Sequence, residues 1–537
     1  MKEFTQEELK NLDKNALITL VLSLQGQLSQ ISRQLDFLTE QIALMNQRSF
    51  GRRTDRNSID GQISMFDQAD FFNEAEADSD DSPEPDIDEI TVHAHRRKKS
   101  AGKREQDLED LPARIINHTI PEEKLNELFP EGYKELPETI YKRLAVIPQT
   151  FIVDEHHVHV YASKSNDGRI VRAERPKDIF RNSIATPSIL AATMNGKYTN
   201  HQPIDRQSRS FKEMGVSLET NTLCNWMIKG AEEYLSLIYD ELHKQLYDSG
   251  VIHADETPLR VTKDGRPANS KSYMWVYCNN TDAEKKPVVL FDYQKTRKSD
   301  HPREFLKDYS GIVVTDGYQV YHTIGRERKE LTISGCWVHA KRKFSEITKA
   351  LGTAGSKGTV AKKAEDMISE IFYIDSQFKD LSNTERKRRR NLELKPKVNA
   401  FFAWAKEVSS SDSVQGQTAS AISYCLNQEQ YLRVFLQHGD VPMDNNAAER
   451  AIRPFTLGRK NWANIDTVNG AKASAVIYSI VQTALANHLK VYDYLEYIFT
   501  IMPEHMDDTD RSFIYELLPW SKTVQQKCHV PNPKRKS

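Results

Sequence analysis

Three acidic residues, far apart along the chain, stand where phosphoryl-transfer chemistry would need them. The first ends a short apolar run, Gly250-Val251-Ile252-His253-Ala254-Asp255-Glu256-Thr257-Pro258. On a strand, only one of the adjacent acids Asp255 and Glu256 can point to each face. The second ends an apolar run, Gly311-Ile312-Val313-Val314-Thr315-Asp316-Gly317-Tyr318, so a buried strand delivers Asp316 at its tip. The third lies in Asp444-Asn445-Asn446-Ala447-Ala448-Glu449-Arg450-Ala451-Ile452-Arg453-Pro454. There Asp444 is a good helix N-cap and Pro454 stops or kinks the helix. Asn445 and Glu449, four apart, share a helix face, so Glu449 is placed to face Asp255 and Asp316. Carboxylates from three separate elements suit two Mg2+ ions about 3.5–4 Å apart, which activate an attacking oxygen and stabilise the leaving one. The alternative on spacing alone is ordinary strand-end Asp and helical Glu without chemistry.

The elements that must position these acids can be read between them. Tyr273–Cys278 and Pro287–Tyr293 give two more strands, followed by a helix around Arg303–Tyr309. A strand over Leu331–His339 then passes into a basic helix at Ala340. The order β-β-β-α-β-α-β-α is that of an RNase H-like sheet. Upstream, a helical region from Ser188 leads through Pro203–Phe211, a turn at Met214-Gly215-Val216 and a helix over Leu218–Met227. This is helix-turn-helix-like, with Arg206, Arg209 and Lys212 nearby, although any αα-hairpin shares the pattern. Between about residues 107 and 176 a small β-containing module is expected, with strands at Tyr141–Pro148, Thr150–Val153 and His157–Tyr161 before a turn at Asn166-Asp167-Gly168. His156, His157 and His159 have no cysteine or carboxylate partners at ligand spacing, so a solvated strand face is the better reading.

The chain has 537 residues, enough for several domains, with 38% hydrophobic content. Its 74 Lys and Arg nearly balance 76 Asp and Glu, a net charge of −2 that hides segregation. Twelve acidic residues and no Lys or Arg lie between Asp60 and Glu89, a pattern of disordered acidic linker. A basic arm follows with Arg96, Arg97, Lys98, Lys99, Lys103 and Arg104. Other basic clusters are Lys341-Arg342-Lys343, Arg386–Arg390, the group Arg450, Arg453, Arg459 and Lys460, and the tail Lys534–Lys536. Each is either a phosphate grip or a solvated face. Leu17, Val21, Leu24, Leu28, Ile31, Leu35, Leu38, Ile42 and Met45 alternate spacings of four and three, the seam of a coiled coil that predicts a homodimer or higher oligomer. The alternative is an amphipathic helix docked on its own domain. Five scattered cysteines with no C-x-x-C pair argue for reduced thiols and against a cysteine-only zinc ribbon. No secretory leader and no long apolar run is present, which points to a cytoplasmic location without membrane insertion.

At these motifs the sequence resembles bacterial transposases of the insertion sequence 66 type. The carriers are His253-Ala254-Asp255-Glu256-Thr257, Val314-Thr315-Asp316-Gly317-Tyr318, Gly335-Cys336-Trp337-Val338-His339-Ala340-Lys341-Arg342-Lys343-Phe344, and Asp444–Pro454 followed by Leu457-Gly458-Arg459-Lys460-Asn461-Trp462. The closing Glu516-Leu517-Leu518-Pro519-Trp520 and the early Phe50-Gly51-Arg52-Arg53 are similar too. The resemblance implies a DDE transposase whose catalytic and metal-binding acids match Asp255, Asp316 and Glu449. It implies Mg2+, with Mn2+ able to replace it. Cys336 and His339 form a C-x-x-H pair, and two ligands cannot close a zinc site. With Asn445 they are expected to support the core, and Arg342 and Lys343 are candidate phosphate contacts. The family's cysteine-rich zinc module has its counterpart in residues 107–176, which contain no cysteine, so structural zinc is not expected.

The expected fold is α/β and multidomain: an RNase H-like mixed-sheet catalytic core, a mainly helical insertion and an N-terminal coiled-coil helix. The layout expected is a coiled-coil helix (1–50), acidic linker (51–95), basic arm with the small β module (96–180) and helix-turn-helix-like region (181–245). The catalytic core (246–350 and 432–465) is interrupted by the insertion (351–431), and a helical region (466–537) closes the chain. The expected function is binding of terminal inverted repeats and target double-stranded DNA, metal-dependent strand cleavage and strand transfer, in the bacterial cytoplasm at the nucleoid. Candidate DNA contacts are Arg96, Arg97, Lys98, Lys99, Arg206, Arg209, Arg342, Lys343, Arg450, Arg453, Arg459 and Lys460. Accessory proteins of the same element are further expected partners. The rivals are a catalytically idle repressor or assembly factor on the same scaffold, and a nuclease without strand transfer.

Overall fold

The computed structural model describes residues 13–50, 114–116, 119–131, 149–162, 164, 170–267, 270–279, 286–410 and 414–530. The acidic stretch, the arm with Arg96, Arg97, Lys98 and Lys99, the expected strand at Tyr141–Pro148 and the expected turn at Asn166-Asp167-Gly168 lie outside them. Helix α1, Lys14–Phe50, carries the heptad pattern. Its seam residues Val21, Leu24, Leu35, Leu38, Ile42 and Met45 are exposed, while Glu40 and Leu44, on another face, are buried. These seam side chains are therefore largely open to solvent, with Ile42 bordering a pocket that Lys349 and Ala350 also line.

The chain divides into two units, one of residues 1–52 and 158–529 and the other of residues 53–157 and 530–537. In the second, the described residues form one short helix, Glu122–Leu128, and a segment from residue 149 without regular secondary structure. Thr150–Val153 forms no strand, and the run expected over His157–Tyr161 is reduced to an exposed three-residue ladder, Val160–Ala162 against Ile170–Arg172, in the first unit. Alternation alone does not make a strand where no core lies beneath it.

In the first unit, α2 (Pro187–Tyr198) starts on a proline with the Thr186 hydroxyl accepting from the Ile189 amide. Helix α3 (Ile204–Glu213) buries Ile204, Gln207 and Phe211. Gly215, at φ +89°, turns the chain into α4 (Thr220–Gly230), which buries Leu223, Trp226 and Met227. A π-helical turn, Ala231–Leu235, carries the chain on into α5 (Ser236–Tyr247).

The apolar runs from Val251 onward make one mixed sheet. Its strands are β1 (Val251–Leu259), β2 (Ser272–Cys278), β3 (Val289–Gln294), β4 (Gly311–Thr315) and β5 (Leu331–Gly335). Their spatial order is β3-β2-β1-β4-β5. The first three are antiparallel; β4 and β5 run parallel to β1. The parallel strands need crossovers, supplied by α6 (Asp300–Phe305) and α7 (Gln319–Glu327). The helix expected over Arg303–Tyr309 begins earlier, and β5 ends at Gly335, so the Trp337–His339 segment is already helical. Helix α8 is Trp337–Ser356.

Beyond α8 the chain is helical through α9 (Val360–Ser376), α10 (Lys395–Ser410) and α11 (Gly416–Asn427). Trp337, Phe344, Ile368, Phe401 and Phe402 fill a core that this region shares with Val251, Ile312 and Val314 of the sheet. Two members of the basic run Arg386–Arg390 are taken up by the packing, while Lys387 and Arg388 are exposed. Arg390 is buried, pairs with Asp375 at 2.7 Å and donates to the carbonyls of Phe435, His438 and Val441. Arg386 donates to the carbonyls of Phe378, Lys379, Leu381 and Gly439. Helix α12 (Asn446–Trp462) returns to the sheet. Helix α13 (Val468–Ala486) lies along edge strand β3, where the Ser479 hydroxyl accepts from the Phe291 amide at 2.7 Å and that of Thr483 from the Val289 amide at 3.0 Å. Hydroxyls thus satisfy a strand edge that would otherwise invite another strand.

Candidate active site

Strand register sets the first two acids side by side. In the parallel pair, His253 lies opposite Val314. Two residues on stand Asp255, within β1, and Asp316, the first residue beyond β4, close enough for each charge to bear on the other. Asp255 Oδ1 accepts from the Glu256 amide at 2.8 Å, and Asp316 Oδ1 from the Tyr318 amide at 3.0 Å. His253, two before Asp255, shares its face and reaches α12 through Asn445, with 3.0 Å between His253 Nδ1 and Asn445 Oδ1. The Asn445 side-chain amide donates to the Ala254 carbonyl at 2.9 Å, and its backbone amide donates to Cys336 Sγ at 3.3 Å.

This fixes the start of α12 one turn before Glu449. Asn445, not Asp444, occupies the N-cap position; Asp444 precedes it and still accepts from the Asn446 amide at 3.0 Å. Pro454 lies inside α12 and does not end it. Glu449 is half-buried against α8, with Arg342 Nη2 at 3.5 Å from one oxygen and His339 Nε2 at 3.7 Å from the other. The two longest motifs therefore interlock: Cys336 takes the Asn445 amide, the Trp337 amide donates to the Met443 carbonyl at 2.8 Å, and His339 and Arg342 flank Glu449.

The electrostatics are those of crowded carboxylates. Burial holds the Asp255 carboxyl well above its ordinary range, and Glu256, Asp316 and Glu449 push it further up. Burial also pushes Glu256 up to about 7 against the pull of Arg297. It pushes His253 down to about 4 and the Cys336 thiol up to about 12, so His253 is neutral and Cys336 an inert thiol at neutral pH. Oε1 of Glu449, Oε2 of Glu256 and Nδ1 of His339 are buried without hydrogen-bond partners.

Glu256 points to the opposite face, where Arg297 donates to it at 2.7 Å through Nε. The guanidinium stacks 3.8 Å over the Tyr318 ring, whose hydroxyl donates to the Arg297 carbonyl at 2.7 Å. Arg297 was not legible as a site residue; its signal is the short basic run Lys295-Thr296-Arg297-Lys298 directly after a strand.

The donor set fits a hard divalent cation in kind: carboxylate oxygens of like charge, with a buried Glu449 oxygen that accepts no hydrogen bond. Among the described residues, no three His, Cys, Asp or Glu side chains are gathered closely enough to form a closed ligand set.

A sequence profile described as Transposase IS66 family matches residues 182–473, which span the sheet, the insertion and all three acids. The chain belongs to the IS66 transposase family. A second profile, described as Transposase C of IS166 homeodomain, matches residues 37–116. Among relatives, the uncharacterized protein y4jD of Sinorhizobium fredii (strain NBRC 101917 / NGR234) is 24% identical over 93% of this chain and 96% of its own length. The uncharacterized protein y4qI of the same organism is 26% identical over 71% of this chain and 70% of its own.

The basic residues divide by environment. Arg459 is partly buried and donates to the Thr257 hydroxyl at 3.1 Å and to the Pro258 carbonyl, tying the end of α12 to β1. Arg450 stands near His253, Cys278 and Asp444, whose pKa values its charge lowers. Arg453 is half-buried on the same helix, and Lys460 is exposed. Lys343 is exposed, 4.5 Å over the Tyr424 ring. On α3, Arg206 is exposed and Arg209 pairs with Asp205. No helix among the described residues is long and apolar enough to cross a membrane.

Proposed function

We propose that this IS66-family chain is a DDE transposase that binds the terminal inverted repeats of its insertion sequence, hydrolyses a strand at each end and joins the freed 3′-hydroxyls to target DNA. The observation that carries the reading is the register of β1 and β4, which sets Asp255 beside Asp316 with α12 supplying Glu449 against the same face. The strand order β3-β2-β1-β4-β5, antiparallel then parallel, is read as RNase H-like.

Asp255, Asp316 and Glu449 would hold the divalent metal, Mg2+ by the hardness of the donors with Mn2+ as substitute. When bound, it activates the attacking oxygen and stabilises the leaving one. The chain's own contribution is placement. Asn445 fixes the first turn of α12, and His339 and Arg342 hold the Glu449 carboxylate between them. Arg342, Lys343 and Lys460 offer positive charge to the phosphates near the site. Arg206 on α3 and the arm Arg96–Lys99 offer it to the repeats. Pairing of α1 with a second copy would bring two catalytic units to two element ends. The protein would work in the bacterial cytoplasm at the nucleoid, with accessory proteins of the same element.

The test uses labelled duplexes taken from the DNA flanking the coding sequence, together with target DNA in Mg2+ or Mn2+. Wild type is expected to nick and join; Asp255→Asn, Asp316→Asn and Glu449→Gln are expected to bind and not join. Joining by all three variants would falsify the triad. Binding by wild type with neither nicking nor joining, with accessory proteins supplied, leaves the idle repressor. Nicking without joining leaves the nuclease.

A further inference from the structure

Helix α11 begins without a cap of its own. Gln415 at its N-cap makes no side-chain hydrogen bond, and the amides of a first helical turn need acceptors. One acceptor comes from a residue remote in sequence. Glu40, buried on α1, accepts from the Thr418 amide at 3.2 Å and from its hydroxyl at 2.9 Å. A carboxylate there also meets the positive end of the helix dipole. Leu44, one turn on, is buried on the same face of α1. The contact leaves the heptad seam outward, with Ile42 54% and Met45 64% exposed, so seating α1 and pairing it with a second copy are compatible.

The far end of α11 reaches the candidate site. The Tyr424 hydroxyl donates to the Asp316 carbonyl at 2.9 Å. Gly317, at φ +93°, lets the chain pass beneath it: a Cβ there would stand 2.9 Å from the Tyr424 hydroxyl and 3.2 Å from Gln428 Oε1. Lys343, next to Arg342, lies over the same ring. One helix of 12 residues, about 18 Å long, thus has the N-terminal helix at one end and the Asp316 turn at the other.

We propose that Glu40 and Tyr424 are positioning residues, and that α1, by capping α11, sets the helix that holds the Asp316 turn. Seating of the N-terminal helix and readiness of the acidic triad then rise and fall together, which makes α1 part of the catalytic apparatus as well as an assembly element. The consequence for catalysis rests on the transposase reading; the mechanical link does not.

Amide hydrogen exchange on the full chain tests the link, because local opening is read there without any DNA. Glu40→Leu is expected to raise exchange on the order of tenfold at residues 416–420 and, through α11, at residues 316–318, with β2 unchanged. Glu40→Gln, which keeps an acceptor for Thr418, restores most of the protection. Tyr424→Phe raises exchange at 316–318 and leaves 416–420 as in wild type. If Glu40→Leu disturbs β2 as well, Thr418→Val removes the hydroxyl half of the contact from the other side and is read in the same way. Opening at 416–420 with 316–318 unmoved overturns the proposal, as does full protection of both segments in Glu40→Leu. In the joining assay, Glu40→Leu loses activity and Glu40→Gln recovers it. A wild type that never joins sinks the transposase reading and leaves the exchange result standing.

Discussion

Asn445 binds His253 and the backbone of the next residue at once, its Oδ1 accepting from the imidazole Nδ1 at 3.0 Å and its side-chain amide donating at 2.9 Å to the Ala254 carbonyl. Both side chains are almost fully buried. A helix that carries one acid is thereby fixed to the strand that carries another, with no charged group involved.

Replacing Asn445 by Leu is expected to cost about 2–5 kcal/mol, since His253 Nδ1 and the Ala254 carbonyl then lose a buried partner in a site of different shape. Urea unfolding measures the loss. Asn445→Asp keeps an acceptor but brings a carboxylate beside already crowded acids, so it is expected to destabilise the fold at pH 7 and to recover at lower pH.

The triad carries a stability cost in the metal-free protein. Asp255 is buried and repelled by Glu256, Asp316 and Glu449, so Asp255→Asn is expected to raise the melting temperature of the metal-free chain while abolishing joining. Calorimetry with and without Mg2+ checks this. Wild type gains stability from Mg2+ and the Asn variant gains less, because a ligand that binds the native state stabilises it. A lower melting temperature for Asp255→Asn without metal counts against the crowding argument.

Much of this arrangement was legible in the chain. Apolar runs ending in Asp gave β1 and β4, because a buried strand of a mixed sheet must be continuous in apolar residues. Four-residue spacing linked Asn445 to Glu449, because a helix repeats every 3.6 residues. Partners remote in sequence were not legible. Glu40 capping Thr418, Tyr424 on Asp316 and Arg297 on Glu256 join segments whose proximity no local pattern encodes. The packing roles of Arg386 and Arg390 were hidden for the same reason: charge is visible in sequence, whereas the carbonyls that take up these two arginines appear only once the helices pack. The segment Thr150–Val153 shows the converse, a β-branched and aromatic run without a buried face to make it a strand.

Arg390 follows from that packing. Its guanidinium is buried with Asp375 and three carbonyls of the segment leading to Asp444. Arg390→Met leaves Asp375 and those carbonyls unpaired and is expected to cost about 3–5 kcal/mol. Arg388→Met, two residues away on an exposed pair with Glu385, is expected to change stability by less than about 1 kcal/mol. Chemical denaturation of both variants separates the buried arginine from the surface one.

His253 gives the fold a pH dependence of known sign. Burial holds its imidazole neutral down to about 4, whereas an unfolded chain protonates histidine near about 6.5. Between these values the unfolded chain takes up a proton that the native one refuses, so the contribution is complete above the upper value and is lost as pH falls toward the lower. At pH 5 the loss is on the order of 2 kcal/mol. Asp255 works in the opposite direction, since its raised carboxyl weighs against the native state as pH rises above the ordinary carboxylate range. The slope is therefore best read in the Asp255→Asn background, by urea unfolding at pH 7.5 and pH 5 with and without His253→Gln. The Gln variant is expected to flatten the difference between the two pH values. An equal loss of stability in both proteins would assign the pH dependence to groups other than His253.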